Sequence, residues 1–254
     1  MYLQRFAELV DIMKRLRKEC PWDRQQTPES LRQYILEEAY ETVEAIDDQN
    51  WEELKKELGD LLLQIVFQAE IAEEAQRFTL EEVIRHINEK LIQRHPHVFG
   101  DVTVESAEQV KENWEQIKYR QENRQSVLDG VPRNLCALLR AQRLQDKAAQ
   151  VGFDWEDPRG VLEKIREEIA ELEQAIASQT REKVEEEIGD LLFSLVNLSR
   201  FYQITAEDAL RNTINKFVSR FQYIERKLAE QNKTLQDVSL NEMDALWDEA
   251  KNQE

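Results

Sequence analysis

The chain has 254 residues, of which 34% are charged, and its formal net charge at pH 7 is −18. So acidic a chain is poorly suited to a nucleic acid polymer, because binding one needs clustered Lys and Arg side chains that displace counterions. Scarce Gly and Pro, together with abundant Glu, Leu, Ala, Lys and Arg, are typical of an all-α fold. We therefore expect helices throughout and no nucleic acid partner.

The apolar segments are too short for a membrane span. The longest runs, such as the one that begins at Leu61, fall far below the roughly 20 residues that cross a bilayer. The amino-terminal residues form an amphipathic pattern interrupted by charges, without the cleavage site of a signal peptide. Cys20 and Cys136 stand alone in the sequence, which is typical of a reducing compartment. These features predict a cytoplasmic protein without a membrane partner.

Hydrophobic periodicity predicts helices along the whole chain. In the first half, the predicted helices cover residues 4–18, 29–47, 51–74, 80–95 and 106–122. In the second half, they cover 135–150, two acidic helices that begin at Pro158, 205–231 and 241–252.

A polar segment separates the two groups of helices and contains Gly130 and Pro132, residues that are frequent in loops. A chain of this length is compatible with two domains. We predict an N-terminal domain over 1–123, a linker over 124–134 and a C-terminal domain over 135–254.

Two acidic helices in the second half carry carboxylates at helical spacing. Glu168 and Glu171 lie three residues apart, as do Glu187 and Asp190, so each pair projects from one face of its helix. Four carboxylates brought together by neighbouring helices repel one another and need a compensating cation. Because these are oxygen ligands, without Cys or His, we predict Mg²⁺ as the cofactor, with Mn²⁺ as a substitute.

The same arrangement occurs in the first half, where Glu37, Glu38 and Glu41 are followed by Glu57 and Asp60. Glu41 and Glu57 are 16 residues apart, and Glu171 and Glu187 have the same separation. A single Glu-x-x-Glu pair is common on solvated helix faces. Its recurrence with the same spacing indicates instead that a whole unit is duplicated.

The repeated unit also contains cations and an aromatic residue. A Lys/Arg pair with four-residue spacing and a later Trp occur in both halves, as Lys90, Arg94 and Trp114, and as Lys216, Arg220 and Trp247. A metal held by carboxylates binds phosphate oxygens, Lys and Arg neutralise the remaining charge, and an aromatic ring stacks on a nucleobase. The combination predicts a nucleoside triphosphate as the ligand.

The reaction that these residues favour is metal-assisted attack of water on phosphorus. The sequence has no Gly-rich phosphate loop and no Ser, Cys or His nucleophile in a recognisable setting. Two carboxylates beside the predicted ligands, Glu167 and Glu186, are available to orient or deprotonate water. We assign the general base to Glu167 and place Glu186 in the substrate-binding set.

Three segments carry a resemblance to a known family: CPWDRQQT at Cys20, QRHPHVFGD at Gln93 and VGFDW at Val151. With the doubled acidic pattern, they make the chain similar to the MazG nucleoside triphosphate pyrophosphohydrolases over nearly its full length. The resemblance implies tandem all-α MazG-like bundles, with four-helix-bundle cores assembled in a homodimer. It also implies hydrolysis between the α and β phosphates, which releases a nucleoside monophosphate and pyrophosphate.

The resemblance assigns residues in both halves. It implies that the metal ligands are Glu168, Glu171, Glu187 and Asp190 in the second half and Glu38, Glu41, Glu57 and Asp60 in the first. The nucleotide contacts that it implies are Lys164, Lys183, Lys216, Arg220 and Trp247 in the second domain, and Lys90, Arg94 and Trp114 in the first. At the positions that match Lys164 and Lys183, the first domain carries Tyr34 and Glu53. Because it lacks these cations, we predict that the second domain is the main catalytic one.

Two alternative interpretations remain open. One is an enzyme of the same all-α group with a narrower substrate, a dUTP-selective diphosphatase. The other is a non-catalytic acidic module in which the Glu pairs only make the helices soluble. Turnover of a nucleotide panel with Mg²⁺ separates these alternatives from a pyrophosphohydrolase that accepts several ribo- or deoxyribonucleotides.

Overall fold

The structure is a computed structural model that describes residues 2–104, 106, 109–110, 113–114, 117 and 125–253. Within these ranges the regular structure is helical and contains no strand, which confirms the all-α prediction. The chain divides into two compact units, Met1–Ile117 and Lys118–Glu254. The exact domain and linker bounds remain predictions, and most of the helix expected over 106–122 lies outside the described residues.

The first unit is organised around a long helix in its middle. Its helices are α1 (Tyr2–Glu19), α2 (Pro21–Gln25), α3 (Arg32–Asp47), α4 (Trp51–Glu74), α5 (Leu80–Arg94) and α6 (Pro96–Phe99). Helix α4 packs against α1, α3 and α5. Met13, Leu31 and Phe67 belong to the buried cluster that these contacts form. Part of the apolar surface of these helices therefore packs in one shared core, whereas other apolar residues, such as Leu58 and Leu62 of α4, stay exposed.

Local chemistry explains where the first unit differs from the predicted helix bounds. Helix α3 begins three residues later than expected, because Thr27 and Ser30 exchange side-chain and backbone hydrogen bonds in a turn ahead of it. The predicted connector at 21–25 and the predicted loop at 96–99 each contain a short helix. Both short helices open with a proline, whose fixed φ suits the first helical position.

The second unit has five α-helices and one short 3₁₀ segment among its described residues. They are α7 (Ala137–Ala149), α8 (Pro158–Ala177), α9 (Arg181–Phe201), α10 (Ala206–Glu230), the 3₁₀ turn Leu235–Asp237 and α11 (Leu240–Lys251). Helix α8 packs along α9, α9 also contacts α7 and α10, and α10 contacts α7 and α11. None of the helices in the described part of the chain has the length and apolar character needed to cross a bilayer.

Each unit contains one tight hairpin of two acidic helices, α3–α4 and α8–α9. The turns are only a few residues long, and each includes a glutamine with a φ of 53°, Gln49 in the first and Gln179 in the second. The matching left-handed residues support the duplication inferred from the sequence. Such a turn sends the second helix back along the first, so carboxylates at equal distances from the turn meet across the hairpin.

Candidate metal centre

Three carboxylates meet across the α8–α9 hairpin of the second unit. Glu168 and Glu171 come from α8 and Glu187 comes from α9, and each offers an oxygen within 4.8 Å of the others. Glu168 is only 3% exposed, whereas Glu171 lies at the surface. The predicted meeting of acidic side chains from neighbouring helices is therefore present, with one ligand oxygen buried and another open to solvent.

The electrostatics of this triad favour a bound cation. Burial is the largest cause of the raised pKa of Glu187, and the charges of Glu171, Glu168, Glu186 and Asp190 raise it further. A raised pKa means that the ionised carboxylate is unfavourable there without a positive partner. A divalent cation with oxygen ligands supplies such a partner.

The predicted fourth ligands lie beside the two triads. Asp190 is one helical turn beyond Glu187, and its charge contributes to the raised pKa of that residue. In the first unit, Asp60 acts in the same way on Glu38. Among the described residues, the acidic groups with oxygens within 4.8 Å of one another are triads that exclude both aspartates. Their role as ligands therefore stays a prediction.

Lys164 lies at the edge of the second-unit triad. Its ammonium nitrogen is 2.8 Å from Glu168 Oε1 and 2.9 Å from Glu167 Oε1. The hydrogen bond to Glu168, followed by that to Glu167, raises the pKa of Lys164. Lys164 therefore stays charged and neutralises part of the acidic cluster. Lys183 and Glu186, on the first turns of α9, are exposed.

The distal residues predicted to contact nucleotide lie on α10 and α11. The guanidinium carbon of Arg220 is 5.4 Å from the ring centroid of Trp247, a cation–π arrangement. Phe217 also packs on Trp247, with ring centroids 5.3 Å apart. Lys216 is exposed on the same helix as Arg220. The structure therefore brings Trp247 and Arg220 into direct contact.

The first unit contains the matching triad in a more acidic setting. Glu38, Glu41 and Glu57 have oxygens within 4.8 Å of one another. Burial, followed by nearby carboxylates, raises the pKa of Glu38 and of Glu57. A cavity of about 350 Å³ beside this triad is lined by Glu41, Glu44, Ala45, Asp48, Asn50, Glu53 and Glu57.

Two acidic residues on the α3 side of this cavity were not predicted as part of a site. Glu44 and Asp48 continue the line of Glu41 along α3, at the three- and four-residue spacing of one helix face. That spacing is the sequence signal that places both residues on one face with Glu41. None of the described residues that line this cavity is a Lys or Arg, so the cavity attracts cations more strongly than phosphates.

The distal residues of the first unit have their own aromatic contact. Trp114 packs edge to face on His95, with ring centroids 4.8 Å apart. Lys90 and Arg94 lie on α5 and are half-buried. Trp114 therefore contacts a histidine, whereas Trp247 contacts an arginine and a phenylalanine.

Comparison with known proteins agrees with the sequence motifs. A family model described as "MazG nucleotide pyrophosphohydrolase domain" matches residues 26–99 and 156–224, one stretch in each unit. The Thermotoga maritima protein named nucleoside triphosphate pyrophosphohydrolase/pyrophosphatase MazG is 48% identical over 250 residues, which cover 97% of this chain and 95% of the relative. The nucleoside triphosphate pyrophosphohydrolase of Escherichia coli K12 is 42% identical over 262 residues, with 99% of both chains covered.

A solved structure is also similar to part of the chain. The mazG-related protein from Thermotoga maritima covers 44% of this chain and 97% of its own length, at 28% identity and a TM-score of 0.40. The identity and coverage of the two full-length relatives, together with both domain matches, decide the family. The chain belongs to the MazG family of nucleotide pyrophosphohydrolases.

Proposed function

We propose that this protein is a Mg²⁺-dependent nucleoside triphosphate pyrophosphohydrolase of the nucleotide pool. It takes up a ribo- or deoxyribonucleoside triphosphate and water, and releases the monophosphate and pyrophosphate. The observation that carries the proposal is the triad of Glu168, Glu171 and Glu187 with Lys164 bound at its edge. The relatives named as nucleoside triphosphate pyrophosphohydrolases support the same reaction.

The donor set fits a hard divalent ion. Glu168, Glu171 and Glu187 would hold Mg²⁺, or Mn²⁺ in its place, and Asp190 would complete the set. When bound, the ion polarises phosphoryl oxygens and neutralises negative charge that develops on them. The buried carboxylate of Glu168, fixed by Lys164, gives the set one rigid member.

The remaining site residues bind and orient the substrate. Lys164 and Lys183 pair with phosphate oxygens, as do Lys216 and Arg220 from α10, and Trp247 stacks on the base. Glu186 assists in orienting the substrate. Glu167, whose side chain is 57% exposed beside the triad, accepts a proton from the attacking water. A new bond joins the water oxygen to phosphorus as the bridge between the α and β phosphates breaks, and the released pyrophosphate carries the bridging oxygen.

We assign the main catalytic role to the second unit. In the first unit, the position of Lys164 is taken by Tyr34, which packs edge to face on Trp22 with ring centroids 6.1 Å apart. The position of Lys183 is taken by Glu53, which lines the acidic cavity. The first unit thus has the carboxylates to bind a metal ion through Glu38, Glu41, Glu57 and Asp60. It lacks the matching cations for a triphosphate, and its role is to bind a different nucleotide or to support assembly of the protein.

We further propose a homodimer in the cytoplasm. Helices α4 and α9 present matching exposed apolar stripes, Leu58, Leu62 and Ile65 on α4, and Ile188, Leu192 and Leu195 on α9. These side chains follow the spacing of one helix face and are suited to packing against the same helices of a second copy. Burial of each stripe against a second copy would complete the four-helix-bundle cores that the family resemblance implies. The ligands that we propose for the protein are nucleotides, and we propose neither a nucleic acid polymer nor a membrane as a partner.

Product analysis tests the proposed reaction. The full chain is incubated with ATP, dUTP and the other common nucleotides in the presence of Mg²⁺, and the products are separated by ion exchange. We expect pyrophosphate and monophosphates, whereas orthophosphate and diphosphates would contradict the proposed bond. Hydrolysis of dUTP alone would identify a dUTP-selective diphosphatase. No turnover, with a melting temperature indifferent to Mg²⁺, would favour the acidic interaction module.

A further inference from the structure

Trp155 lies directly on the backbone at the start of α8. A β-carbon added to Gly160 would come within 2.3 Å of the Trp155 Cδ1 atom, which is far closer than such atoms approach. Only glycine therefore admits the indole at this position. Even so, Trp155 remains 44% exposed. One side of the ring rests on the helix while a large part of it stays open to solvent.

The segment that carries Trp155 is held in place by a largely buried arginine. The Arg200 side chain is 10% exposed, and its Nη2 donates to Asp154 Oδ2 at 2.9 Å. Its Nε donates to Asp146 Oδ1 at 3.0 Å. The other carboxylate oxygen of Asp154 accepts the Trp155 backbone N–H at 3.0 Å. The backbone that carries the indole is thus held by charge-assisted hydrogen bonds before any ligand arrives.

The contact point of the indole lies in line with the metal centre. Gly160, Lys164 and Glu168 follow one another at four-residue intervals, so they share one face of α8. At 1.5 Å per residue, Gly160 lies about 6 Å from Lys164 and about 12 Å from Glu168 along the helix axis. An aromatic ring, an ammonium group and a set of metal-binding carboxylates therefore occur in that order. A nucleotide has the same order of base, phosphate chain and bound metal.

The first unit lacks this succession of an indole, a lysine ammonium group and metal-binding carboxylates along one helix. Thirteen residues before the first metal-binding glutamate, the first unit has Gln25, whereas the second has Trp155. Eight residues before that glutamate, the first unit has Ser30 and the second has Gly160. The indole, the glycine beneath it and Lys164 are thus found together in one unit, while both units keep the carboxylates. This pattern links Trp155 to a ligand that the first unit does not bind in the same way.

We propose that Trp155 stacks on the nucleobase of a nucleotide whose phosphates lie at Lys164 and the metal centre. The inference rests on the proposed function and adds a substrate-binding residue to it. Trp247 is the aromatic contact that the family resemblance implies, and Trp155 is a second surface, carried by the connector before α8. Every base has a π-face, so stacking of this kind tolerates several bases and favours a broad nucleotide specificity.

The test compares a nucleotide with a phosphate chain that has no base. KM and kcat for ATP and the inhibition constant of inorganic tripolyphosphate are measured for the wild-type chain, Trp155→Leu and Trp155→Phe. The matched control is Trp51→Leu, because Trp51 is 77% exposed in the first unit. For Trp155→Leu we expect a KM for ATP raised about five- to hundredfold, the range of one lost stack, with kcat retained.

The base-free probe separates stacking from a structural role. Tripolyphosphate should inhibit wild type and Trp155→Leu equally, and Trp155→Phe should keep most of the affinity for ATP. An unchanged KM for ATP, or an equal loss of affinity for tripolyphosphate, would overturn the proposal.

Binding of ATP measured by calorimetry tests the Trp155 contact separately from the proposed reaction. If wild type binds ATP without hydrolysing it and Trp155→Leu binds it more weakly, the proposed reaction is refuted and the Trp155 contact is supported. If wild type does not bind ATP, both fail.

Discussion

Lys164 Nζ lies 2.8 Å from the buried carboxylate of Glu168, one helical turn along α8. This ion pair joins the phosphate-binding and metal-binding parts of the proposed site. Both residues are fixed relative to each other by the helix backbone, so a metal ion at Glu168 and a phosphate at Lys164 would meet without rearrangement of the main chain. In the first unit Tyr34 replaces the lysine, and its ring packs on Trp22 instead.

The first prediction concerns the unequal roles of the two triads. Glu171→Gln removes a negative oxygen ligand from the second unit and should lower kcat/KM for pyrophosphate release by at least about a hundredfold, because the metal supplies several kcal/mol of transition-state stabilisation. Glu41→Gln is the matched change in the first unit and should retain most of the activity. Equal losses in the two variants would show that both units carry out the reaction.

The acidic hairpins could be predicted from the sequence because helix geometry alone determines them. Three-residue spacing puts Glu168 and Glu171 on one face, and a tight turn brings Glu187 opposite them at the same height. The bounds of the long helices followed from apolar periodicity for a similar reason. Each of these inferences needs only the period of the helix and the length of one turn.

Other features depend on contacts that sequence patterns do not encode. The Trp155 ring reaches Gly160 through an irregular connector whose path is set by the Arg200 hydrogen bonds, and no periodicity describes such a segment. The acidic cavity of the first unit requires both helices of the hairpin, so the helical spacing of Glu44 and Asp48 alone does not show that they line it. Tertiary packing therefore determines these contacts, which residue spacing alone does not predict.

The second prediction tests why the first unit is less suited to a triphosphate. Glu53→Lys places a cation at the position that matches Lys183, within the acidic cavity. Equilibrium dialysis with a non-hydrolysable ATP analogue should detect one molecule per wild-type chain and a second, weaker one for the variant, since the added cation attracts phosphate.

A nearby change of the same charge serves as the control for this experiment. Glu52 has a side chain that is 82% exposed and pairs with Lys55 rather than lining the cavity. Glu52→Lys should therefore leave the stoichiometry at one. Two equally tight molecules on the wild-type chain, or a second molecule on Glu52→Lys, would contradict the explanation.

The third prediction concerns the apolar stripe on α9. Leu192→Glu introduces a charge into a surface that we expect to be buried against a second copy, where an unpaired carboxylate is strongly unfavourable. Sedimentation velocity should show a dimer for the wild-type chain and a shift towards monomer for the variant. Leu3→Glu, at an exposed residue of α1, should leave the dimer intact. A monomeric wild-type chain would refute the homodimer, and a dimer unaffected by Leu192→Glu would place its interface elsewhere.

The fourth prediction follows from the contact between Gly160 and Trp155. An alanine is favoured over glycine inside a helix by about 1 kcal/mol, but here its methyl group would overlap the indole. Gly160→Ala should therefore fail to raise the free energy of unfolding in urea, and by displacing the ring it should also raise KM for ATP. In the Trp155→Leu background the overlap is removed, so the same Gly160→Ala change should stabilise the chain by about 1 kcal/mol. Stabilisation of equal size in both backgrounds would mean that the indole does not rest on this helix in solution.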